Sequence, residues 1–153
     1  MSLQLPMGNN MLSRIAKEFH WEMGHRLPFH QGGCQNIHGH SYTMRVEIIG
    51  TIDPATGMVI DYFDMKALVQ PLIDRLDHSF LLDSSDTILM EFFKNHPMKV
   101  NTVDFYSTAE NIAHYMLQEL VPGFEKFPQV SELRIRLRET ENTFAEAVHV
   151  YTI

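Results

Sequence analysis

Hydrophobic and polar residues alternate along residues 38–50. From residue 42 to residue 48 the even-numbered positions are apolar and the odd-numbered ones are polar: Tyr42, Met44, Val46 and Ile48 against Thr43, Arg45 and Glu47. This period of two predicts a strand with one buried face. Residues 53–57 contain the proline and glycine typical of a turn, and residues 58–62 are expected to return as the second strand of a hairpin.

Two other segments follow a helical period. Apolar residues recur every three or four positions over residues 65–76 and again over residues 109–120, which predicts two amphipathic helices. Pro71 lies inside the first helix and is expected to kink it or to remove a backbone hydrogen bond. Residues 107–110 match a capping box that begins the second helix, and Pro122-Gly123 is expected to end it.

The two ends of the chain complete the pattern. Residues 12–23 fit both helical spacing and strand alternation, so the pattern leaves this segment open. Apolar residues alternate with charged ones over residues 132–138, which predicts a strand with one polar face, and Val148 and Val150 end a last strand. The order strands, helices, strands predicts an α+β fold in which helices cover an antiparallel sheet. No repeat or linker interrupts residues 1–153, so a single domain is expected.

The composition is that of an ordinary globular protein, with 153 residues, 44% hydrophobic and 20% charged. A formal net charge of -7 argues against a nucleic-acid partner, whose phosphates require a basic surface. No apolar run approaches the roughly 18 residues of a membrane span, and residues 1–10 lack the features of a secretion signal. The single cysteine excludes an internal disulfide and fits a reducing compartment. A cytoplasmic protein without a membrane partner is expected.

Four of the nine histidines and the only cysteine lie within residues 25–44. His38 and His40 share the parity of the buried residues of the predicted strand, so their side chains share a face about 6.6 Å apart. Two imidazoles at this spacing can bind one ion at about 2.0–2.1 Å, and zinc is expected because it suits neutral imidazole. The third ligand is expected from one of the nearby histidines: His20, His25 or His30. The alternative is a polar strand entry without a metal.

Several further side chains are candidates for acid–base chemistry or substrate binding. Cys34 can be a base or nucleophile, because a nearby Zn²⁺ or imidazolium favours its thiolate; the alternatives are an inert buried cysteine and a fourth zinc ligand. Asp77 and His78 are a candidate carboxylate–imidazole relay, with a charged loop as the alternative. Glu139 can accept two parallel N–H bonds from a guanidine-like heterocycle, or can be a surface charge. Glu110 needs no function if it belongs to the capping box.

The chain resembles the 6-pyruvoyltetrahydropterin synthase and 6-carboxytetrahydropterin synthase family from about Phe19 to Tyr151. The resemblance rests on a series of ordered motifs: Gly24-His25-Arg26-Leu27, Cys34-x-x-x-His38-Gly39-His40-Ser41-Tyr42, Gly57-Met58-Val59-Ile60-Asp61-Tyr62, Leu76-Asp77-His78-Ser79-Phe80-Leu81, Thr108-Ala109-Glu110-Asn111 and Glu139-Thr140. The family often has a proline at the position of Ser107 and small residues at positions 21–23. Neither departure removes a candidate ligand or catalytic group.

This resemblance implies the tunnelling fold, with a four-stranded antiparallel sheet and two helices packed on one face. It implies assembly as a trimeric barrel and a homo-hexamer that is a dimer of trimers. Residues 12–23 would then be a strand. The resemblance also implies zinc bound by His25, His38 and His40.

The same resemblance implies roles for the other candidates. Cys34 would abstract the proton, and His78 would be its charge-relay partner, with Asp77 supporting it from a neighbouring subunit. Glu139 would anchor the pterin and join the relay. The motif that contains Thr108 and Glu110 would supply further substrate-binding residues.

The implied activity is that of a zinc-dependent lyase acting on 7,8-dihydroneopterin triphosphate. We expect 6-carboxytetrahydropterin as the product, with release of acetaldehyde and triphosphate on the way to queuosine; the alternative is the pyruvoyl product. Two further alternatives are a non-catalytic zinc or pterin-binding module and a three-histidine zinc hydrolase. The anionic substrate requires a basic mouth, for which four arginines are candidates: Arg26, Arg134, Arg136 and Arg138.

Overall fold

The computed structural model describes residues 2–4 and 11–152, so residues 1 and 5–10 of the segment tested for a secretion signal lie outside it. The strands are β1 (Leu12–His25), β2 (His38–Thr51), β3 (Ser79–Asp83), β4 (Val100–Val103), β5 (Val130–Arg138) and β6 (Ala145–Val150). The helices are α1 (Tyr62–Leu76), α2 (Thr87–Asn95) and α3 (Ala109–Phe124), and Gly33–Gln35 is a short 3₁₀ turn. None of these helices is long and apolar enough to cross a membrane.

Four antiparallel strands and two long helices form the core, as the sequence predicts. β1 pairs with β2, β2 with β5 and β5 with β6, all antiparallel. α1 and α3 pack on one face of this sheet, where buried side chains of all six elements form one hydrophobic cluster. The ambiguous segment 12–23 is a strand: Phe19, Trp21 and Met23 are buried in the cluster, while the residues between them are exposed.

The sheet is larger than the four strands expected, and it is mixed rather than antiparallel. Its order is β4-β3-β1-β2-β5-β6, and β3 pairs parallel with both β1 and β4. β3, α2 and β4 form an additional unit between α1 and α3, which we call the inserted unit (residues 79–103), so the described residues contain three α-helices rather than two. The pattern does not reveal this unit because β3 has only 5 residues and Leu89 is the buried residue of α2.

The chain enters a helix after the 53–57 turn instead of returning as a strand. The turn itself is confirmed, because the Gly57 N–H donates to the Asp53 carbonyl over 2.7 Å and Gly57 has a φ of 73°, which favours glycine. The expected strand over residues 58–62 is wrong. Asp61 caps α1 by accepting from the Phe63 N–H at 2.8 Å, and the two residues before Asp61 are buried in the core.

Both ends of α3 differ from the predicted ones. Thr108 is the N-cap in place of Ser107, since its hydroxyl accepts from the Asn111 N–H at 3.3 Å. Glu110 therefore takes no part in a capping box. At the other end the helix continues past Pro122 and Gly123 to Phe124, whose buried side chain packs the last turn against the core.

Candidate active site

Three histidines lie side by side at one end of the helix-covered face. In the β1–β2 register His25 is opposite His38, and Met23 is opposite His40. Since Met23 is buried on the helix-covered face, strand alternation places all three imidazoles on that same face. Their ligand nitrogens lie within 4.8 Å of one another. The three histidines can therefore bind a single metal ion.

Hydrogen bonds to backbone carbonyls fix the orientation of two of these rings. His25 Nδ1 lies 2.8 Å from the Ser107 carbonyl oxygen, and His38 Nδ1 lies 2.7 Å from the Asn36 carbonyl oxygen. A carbonyl only accepts, so each Nδ1 carries the proton and each Nε2 keeps its lone pair. A ring N–H held by an oxygen is typical of metal-bound histidine. The Ser107 hydroxyl lies 3.2 Å from the same Nδ1, so a proline at this position would keep the carbonyl contact and lose the hydroxyl one.

The surroundings of His25 and His40 favour the neutral form of these two imidazoles. Burial lowers the pKa of His25 to about 4, and the neighbouring His38 and His40 add to this effect against the opposing hydrogen bond to Ser107. Burial, followed by the charge of His38, also lowers the pKa of His40. His25 Nε2 is buried and has no hydrogen-bond partner among the described residues. A buried, unprotonated nitrogen without a partner fits a ligand of a cation such as Zn²⁺.

A carboxylate and a phenol lie beside the histidines. Glu139 places its two carboxylate oxygens 3.8 Å from His25 Nε2 and 4.0 Å from His40 Nε2. Tyr42 is fully buried and donates its hydroxyl to Glu139 Oε1 over 3.3 Å. Burial raises the pKa of both groups, so the phenol remains a donor. Sequence reasoning misses Tyr42 as a site residue, although strand alternation places its side chain on the same face of β2 as His38 and His40.

Cys34 shares a cavity with the three histidines. The cavity has a volume of about 390 Å³, and its lining includes four of the predicted site residues: Cys34, Thr108, Glu110 and Glu139. Cys34 lies half-buried in the Gly33–Gln35 turn, where its carbonyl accepts from the Leu27 N–H at 2.8 Å. Its sulfur does not belong to the cluster of ligand atoms that the histidines form. The geometry therefore fits a free thiol beside a metal site better than a fourth ligand.

The Asp77–His78 pair is preformed but lies outside this cavity. His78 Nδ1 is 2.9 Å from Asp77 Oδ2, and Asp77 Oδ1 accepts from the Glu22 N–H at 2.9 Å. Both contacts lower the pKa of Asp77, and the hydrogen bond from the Glu22 N–H has the larger effect. The His78 side chain is 77% exposed and borders a separate recess of about 320 Å³ together with His40. Within one chain, the structure therefore does not bring the pair to Cys34.

No lysine or arginine lines the cavity in the described part of the chain. Three of the four candidate arginines are paired with carboxylates: Arg26 with Asp86, Arg134 with Glu132 and Arg136 with Glu146. The fourth, Arg138, has the parity of the uncovered face of β5, opposite to its buried residues. The expected basic mouth is therefore not found among the described residues of a single chain.

Comparison with known proteins identifies the family of the chain. The sequence pattern of the family described as 6-pyruvoyl tetrahydropterin synthase matches residues 14–149. The chain belongs to this family. A member from Haemophilus influenzae, named 6-carboxy-5,6,7,8-tetrahydropterin synthase, is 36% identical over 140 residues, which cover 87% of this chain and 96% of that protein. Members of the same name from Rickettsia bellii and Aquifex aeolicus are 31% and 30% identical; the matches cover 87% and 86% of this chain, and 98% and 95% of those proteins.

Solved structures of the 6-pyruvoyl tetrahydropterin synthase family share the fold. The enzyme of that name from Plasmodium vivax superposes with a TM-score of 0.76 at 18% identity, over 93% of this chain and 100% of that chain. The one from Caenorhabditis elegans superposes with a TM-score of 0.66 at 26% identity, over 95% of this chain and 100% of that chain. The predicted tunnelling fold is therefore confirmed, with the correction that the inserted unit adds two strands and one helix.

Proposed function

We propose that the protein is a 6-carboxy-5,6,7,8-tetrahydropterin synthase. It would be a lyase that converts 7,8-dihydroneopterin triphosphate and one water molecule to 6-carboxytetrahydropterin, acetaldehyde and triphosphate, in the cytoplasm and as a step towards queuosine. The observation that carries the proposal is the cavity shared by three clustered histidines and a free thiol. The names of the relatives from three bacteria favour the carboxy product.

We assign His25, His38 and His40 as the ligands of a zinc ion. When bound, the ion supplies positive charge that stabilises enolate-like charge on the substrate side chain. Two of the rings are already oriented by carbonyl acceptors, and the pKa values of His25 and His40 are lowered. Protons therefore compete weakly with a metal for the nitrogens of these two histidines.

Three roles in the cavity follow from its lining. Cys34 takes the carbon-bound proton and returns it as the substrate rearranges, a role supported by its half-buried position beside the histidines. Glu139 binds the edge of the pterin that carries two N–H groups, since a carboxylate accepts such a pair in parallel. Thr108 and Glu110 line the same cavity and complete the substrate-binding set.

His78 adjusts the protonation of the thiol from a neighbouring subunit, with Asp77 orienting its ring. Two observations support this arrangement. The Asp77–His78 pair is already formed, and it is exposed outside the cavity of its own chain. The assembly we propose is a homo-hexamer, a dimer of trimers, in which neighbouring chains meet at the cavity. The lack of a lysine or arginine in the lining formed by the described residues supports the same assembly, since the triphosphate then meets cations of a neighbour.

Product analysis by mass spectrometry tests the proposal, with zinc-loaded protein and 7,8-dihydroneopterin triphosphate as the substrate. Acetaldehyde released together with 6-carboxytetrahydropterin supports it. A pyruvoyl product without acetaldehyde would make the protein a 6-pyruvoyltetrahydropterin synthase, the activity named for the Plasmodium vivax and Caenorhabditis elegans structures. Bound zinc without released triphosphate would make it a non-catalytic zinc or pterin-binding module.

The variant Cys34→Ala tests the role of the thiol. We expect turnover to fall by about 10²–10⁴-fold, the usual contribution of a positioned proton-transfer group. Zinc content, measured by elemental analysis, should stay at the wild-type level. Loss of zinc would make Cys34 a ligand and contradict the mechanism, and an active variant would favour a zinc hydrolase that needs no thiol.

A further inference from the structure

The inserted unit contacts both chain segments that carry the proposed acid–base groups. We propose that this unit, residues 79–103, is a positioning element for these segments. Through the start of α2 it holds the turn of Cys34, and through the start of β4 it holds the turn of Asp77 and His78. The consequence for catalysis rests on the proposed function, whereas the positioning itself can be measured without turnover.

The first contact is a two-point ion pair between Asp86 and Arg26. Arg26 Nε donates to Asp86 Oδ2 at 2.6 Å, and Nη2 donates to Oδ1 at 2.8 Å. The remaining Nη1 donates to the Gln35 carbonyl at 3.3 Å, in the turn that carries Cys34. Asp86 is only 4% exposed. A buried carboxylate thus fixes the guanidinium, and the guanidinium holds the Cys34 turn.

Asp86 is itself fixed by the inserted unit. It is the N-cap of α2, where its Oδ1 accepts from the Leu89 N–H at 3.2 Å, and its own N–H donates to the Asp83 carbonyl at 3.0 Å. A cap needs only a neutral acceptor, so the buried negative charge is explained by Arg26. Each of the three nitrogens of Arg26 donates a hydrogen bond within the chain and Asp86 offsets its charge, which favours a positioning role over binding of an anionic substrate.

The second contact satisfies the end of α1. Lys99 Nζ donates to the carbonyls of Asp74 and Asp77 at 2.8 and 2.6 Å. Asn101 Nδ2 donates to the Arg75 carbonyl at 3.0 Å. The last carbonyls of a helix have no partner within the helix, so these side chains stabilise the turn that leads directly into the relay pair.

His78 needs this support because its backbone conformation is unusual. Its φ is 55°, in the left-handed region that residues other than glycine adopt at a cost. The peptide unit between Asp77 and His78 is held at both ends: the Asp77 carbonyl accepts from Lys99, and the His78 N–H donates to the Glu22 carbonyl at 2.7 Å. Removing the Lys99 ammonium frees one end of the peptide that carries the relay pair.

The variant Asp86→Asn tests the first contact, because asparagine keeps an acceptor for α2 but removes the charge that holds Arg26. Cys34 is the only cysteine, so alkylation by iodoacetamide reports on this thiol alone, at a rate set by its exposure and its thiolate fraction. We expect alkylation to accelerate about three- to tenfold as the turn opens. We also expect kcat to fall about tenfold or more, with KM changed less than about twofold. Alkylation and kcat at wild-type values would overturn this half of the proposal.

The variant Glu119→Gln is the matched control, because it breaks the ion pair between Glu119 and the Arg75 side chain (2.7 Å), away from the cavity. We expect wild-type alkylation and kcat. Zinc content and circular dichroism give the folded fraction of each variant, and a kcat loss no larger than the loss of folded protein contradicts the proposal. If Asp86→Asn folds poorly, Arg26→Lys replaces it, since lysine keeps the charge but cannot bind Asp86 at two points and Gln35 as well.

The variant Lys99→Met tests the second contact, because methionine keeps the aliphatic stem and loses every donor. We expect hydrogen exchange of the His78 amide to accelerate about tenfold or more and kcat to fall, while Cys34 alkylation stays at the wild-type rate. Lys99→Arg retains donors and should restore both quantities. Unchanged exchange at His78 would overturn this half, and so would a rise in alkylation equal to that of Asp86→Asn, because general loosening would then explain both variants.

The outcome for the positioning role can be separated from the outcome for the function. Wild-type protein that does not turn over the substrate would contradict the proposed function. The alkylation rate of Cys34 and the exchange rate of the His78 amide would still decide whether the inserted unit holds the two turns. Wild-type turnover with unchanged rates in both variants would leave the function standing and remove the positioning role.

Discussion

Gly39 is the residue on which the close approach of the three clustered histidines depends. A Cβ atom at this position would lie 2.9 Å from the Met23 carbonyl oxygen in β1. Alanine at residue 39 therefore forces β1 and β2 apart between His38 and His40. We expect Gly39→Ala to lower the free energy of unfolding by about 1–3 kcal/mol, as overpacking usually does, and to weaken zinc binding. Urea unfolding and competition with a chelator measure the two effects.

The control for this prediction is Gly33→Ala. A Cβ atom at residue 33 meets no atom within 4 Å, and the residue belongs to the loop just before the ligand pair. We expect its stability to stay within about 0.5 kcal/mol of wild type and its zinc affinity to be unchanged. Wild-type zinc affinity in Gly39→Ala would show that the site tolerates wider strand spacing, against this argument.

The buried carboxylate of Asp86 makes stability depend on acid in a predictable direction. The Arg26 guanidinium, as its main partner, lowers the pKa of Asp86 in the folded protein below the ordinary value of 3.8. A carboxyl with a lowered folded pKa adds stability that is complete above its unfolded pKa and is lost as the pH falls through the folded pKa. We expect Asp86→Asn to reduce the free energy of unfolding by about 3 kcal/mol near neutral pH. The reduction should shrink progressively below about pH 4.

Urea unfolding of wild type and Asp86→Asn over a series of pH values measures this difference. The same series on Glu119→Gln provides the comparison, because that exposed pair is expected to contribute less than about 1 kcal/mol at any pH. A reduction for Asp86→Asn that is equal at acid and neutral pH would assign the stabilisation to packing of the side chain rather than to its charge.

At the scale of elements, Pro71 tests how helix α1 tolerates an internal proline. α1 continues through Pro71, which is exposed, so the Ala67 carbonyl one turn earlier has no backbone N–H to accept from. We expect Pro71→Ala to raise the free energy of unfolding by about 1–3 kcal/mol, without a change in kcat, because the buried face of the helix is untouched.

Lys66→Ala, at another exposed position of α1, is the control and should stay within about 0.5 kcal/mol of wild type. Thermal and urea unfolding give the comparison. A Pro71→Ala protein no more stable than wild type would indicate that the end of α1 is adapted to the proline and that the expected helical hydrogen bond does not form.

Elements with a long regular period could be predicted from the sequence because each has one buried face. The strand over residues 38–50 and the two long helices are of this kind, and their periods match the observed burial. The boundaries could not be predicted where a single hydrogen bond decides them. Asp61 caps the start of α1 with its carboxylate. Thr108 caps the start of α3, although Ser107 is an equally suitable N-cap residue by its sequence.

The candidate site was predictable in the same partial way. Parity alone places His38 and His40 on one face, whereas the pattern left the third ligand open, and only the resemblance selected His25. The carbonyl of Ser107 that orients His25 lies 82 residues away along the chain. A backbone contact of this kind has no residue signature, so the sequence does not reveal it. The inserted unit escapes detection for another reason, since strands of 5 and 4 residues are too short to show a clear period.

At the scale of the whole molecule, two of the four antiparallel core strands, β1 and β6, keep a largely unpaired side in the part of the chain that the structure describes, while β4 ends the sheet beyond β3. β6 pairs only with β5, and β3 covers β1 only at Met23 and Gly24. Most of the outer backbone of β1 therefore has no strand partner among the described residues of one chain. Open edges of this length are usually paired or covered in stable proteins. Pairing between chains would satisfy both edges at once, which supports the proposed barrel of three subunits.

A mixture of two defective variants tests whether a neighbouring chain completes the active site. Cys34→Ala lacks the thiol and His78→Ala lacks the proposed relay imidazole, so the proposed hexamer formed by either variant alone is expected to have little activity. In mixed hexamers, a cavity with the thiol of one variant can meet the imidazole of the other. If the two groups come from different chains, about one quarter of the sites should be complete after random mixing.

Co-expression with two affinity tags, followed by native mass spectrometry, verifies that the hexamers are mixed before turnover is measured. Recovery towards a quarter of wild-type activity requires that Cys34 and His78 act across a subunit boundary, because no single chain in the mixture carries both. Verified mixed hexamers that remain as inactive as their parents would contradict that arrangement. The exposed Asp77–His78 pair would then reach the thiol only if its own chain moved. His40 lines both the recess beside His78 and the cavity of Cys34, so the pair would have to cross the end of the sheet at His40.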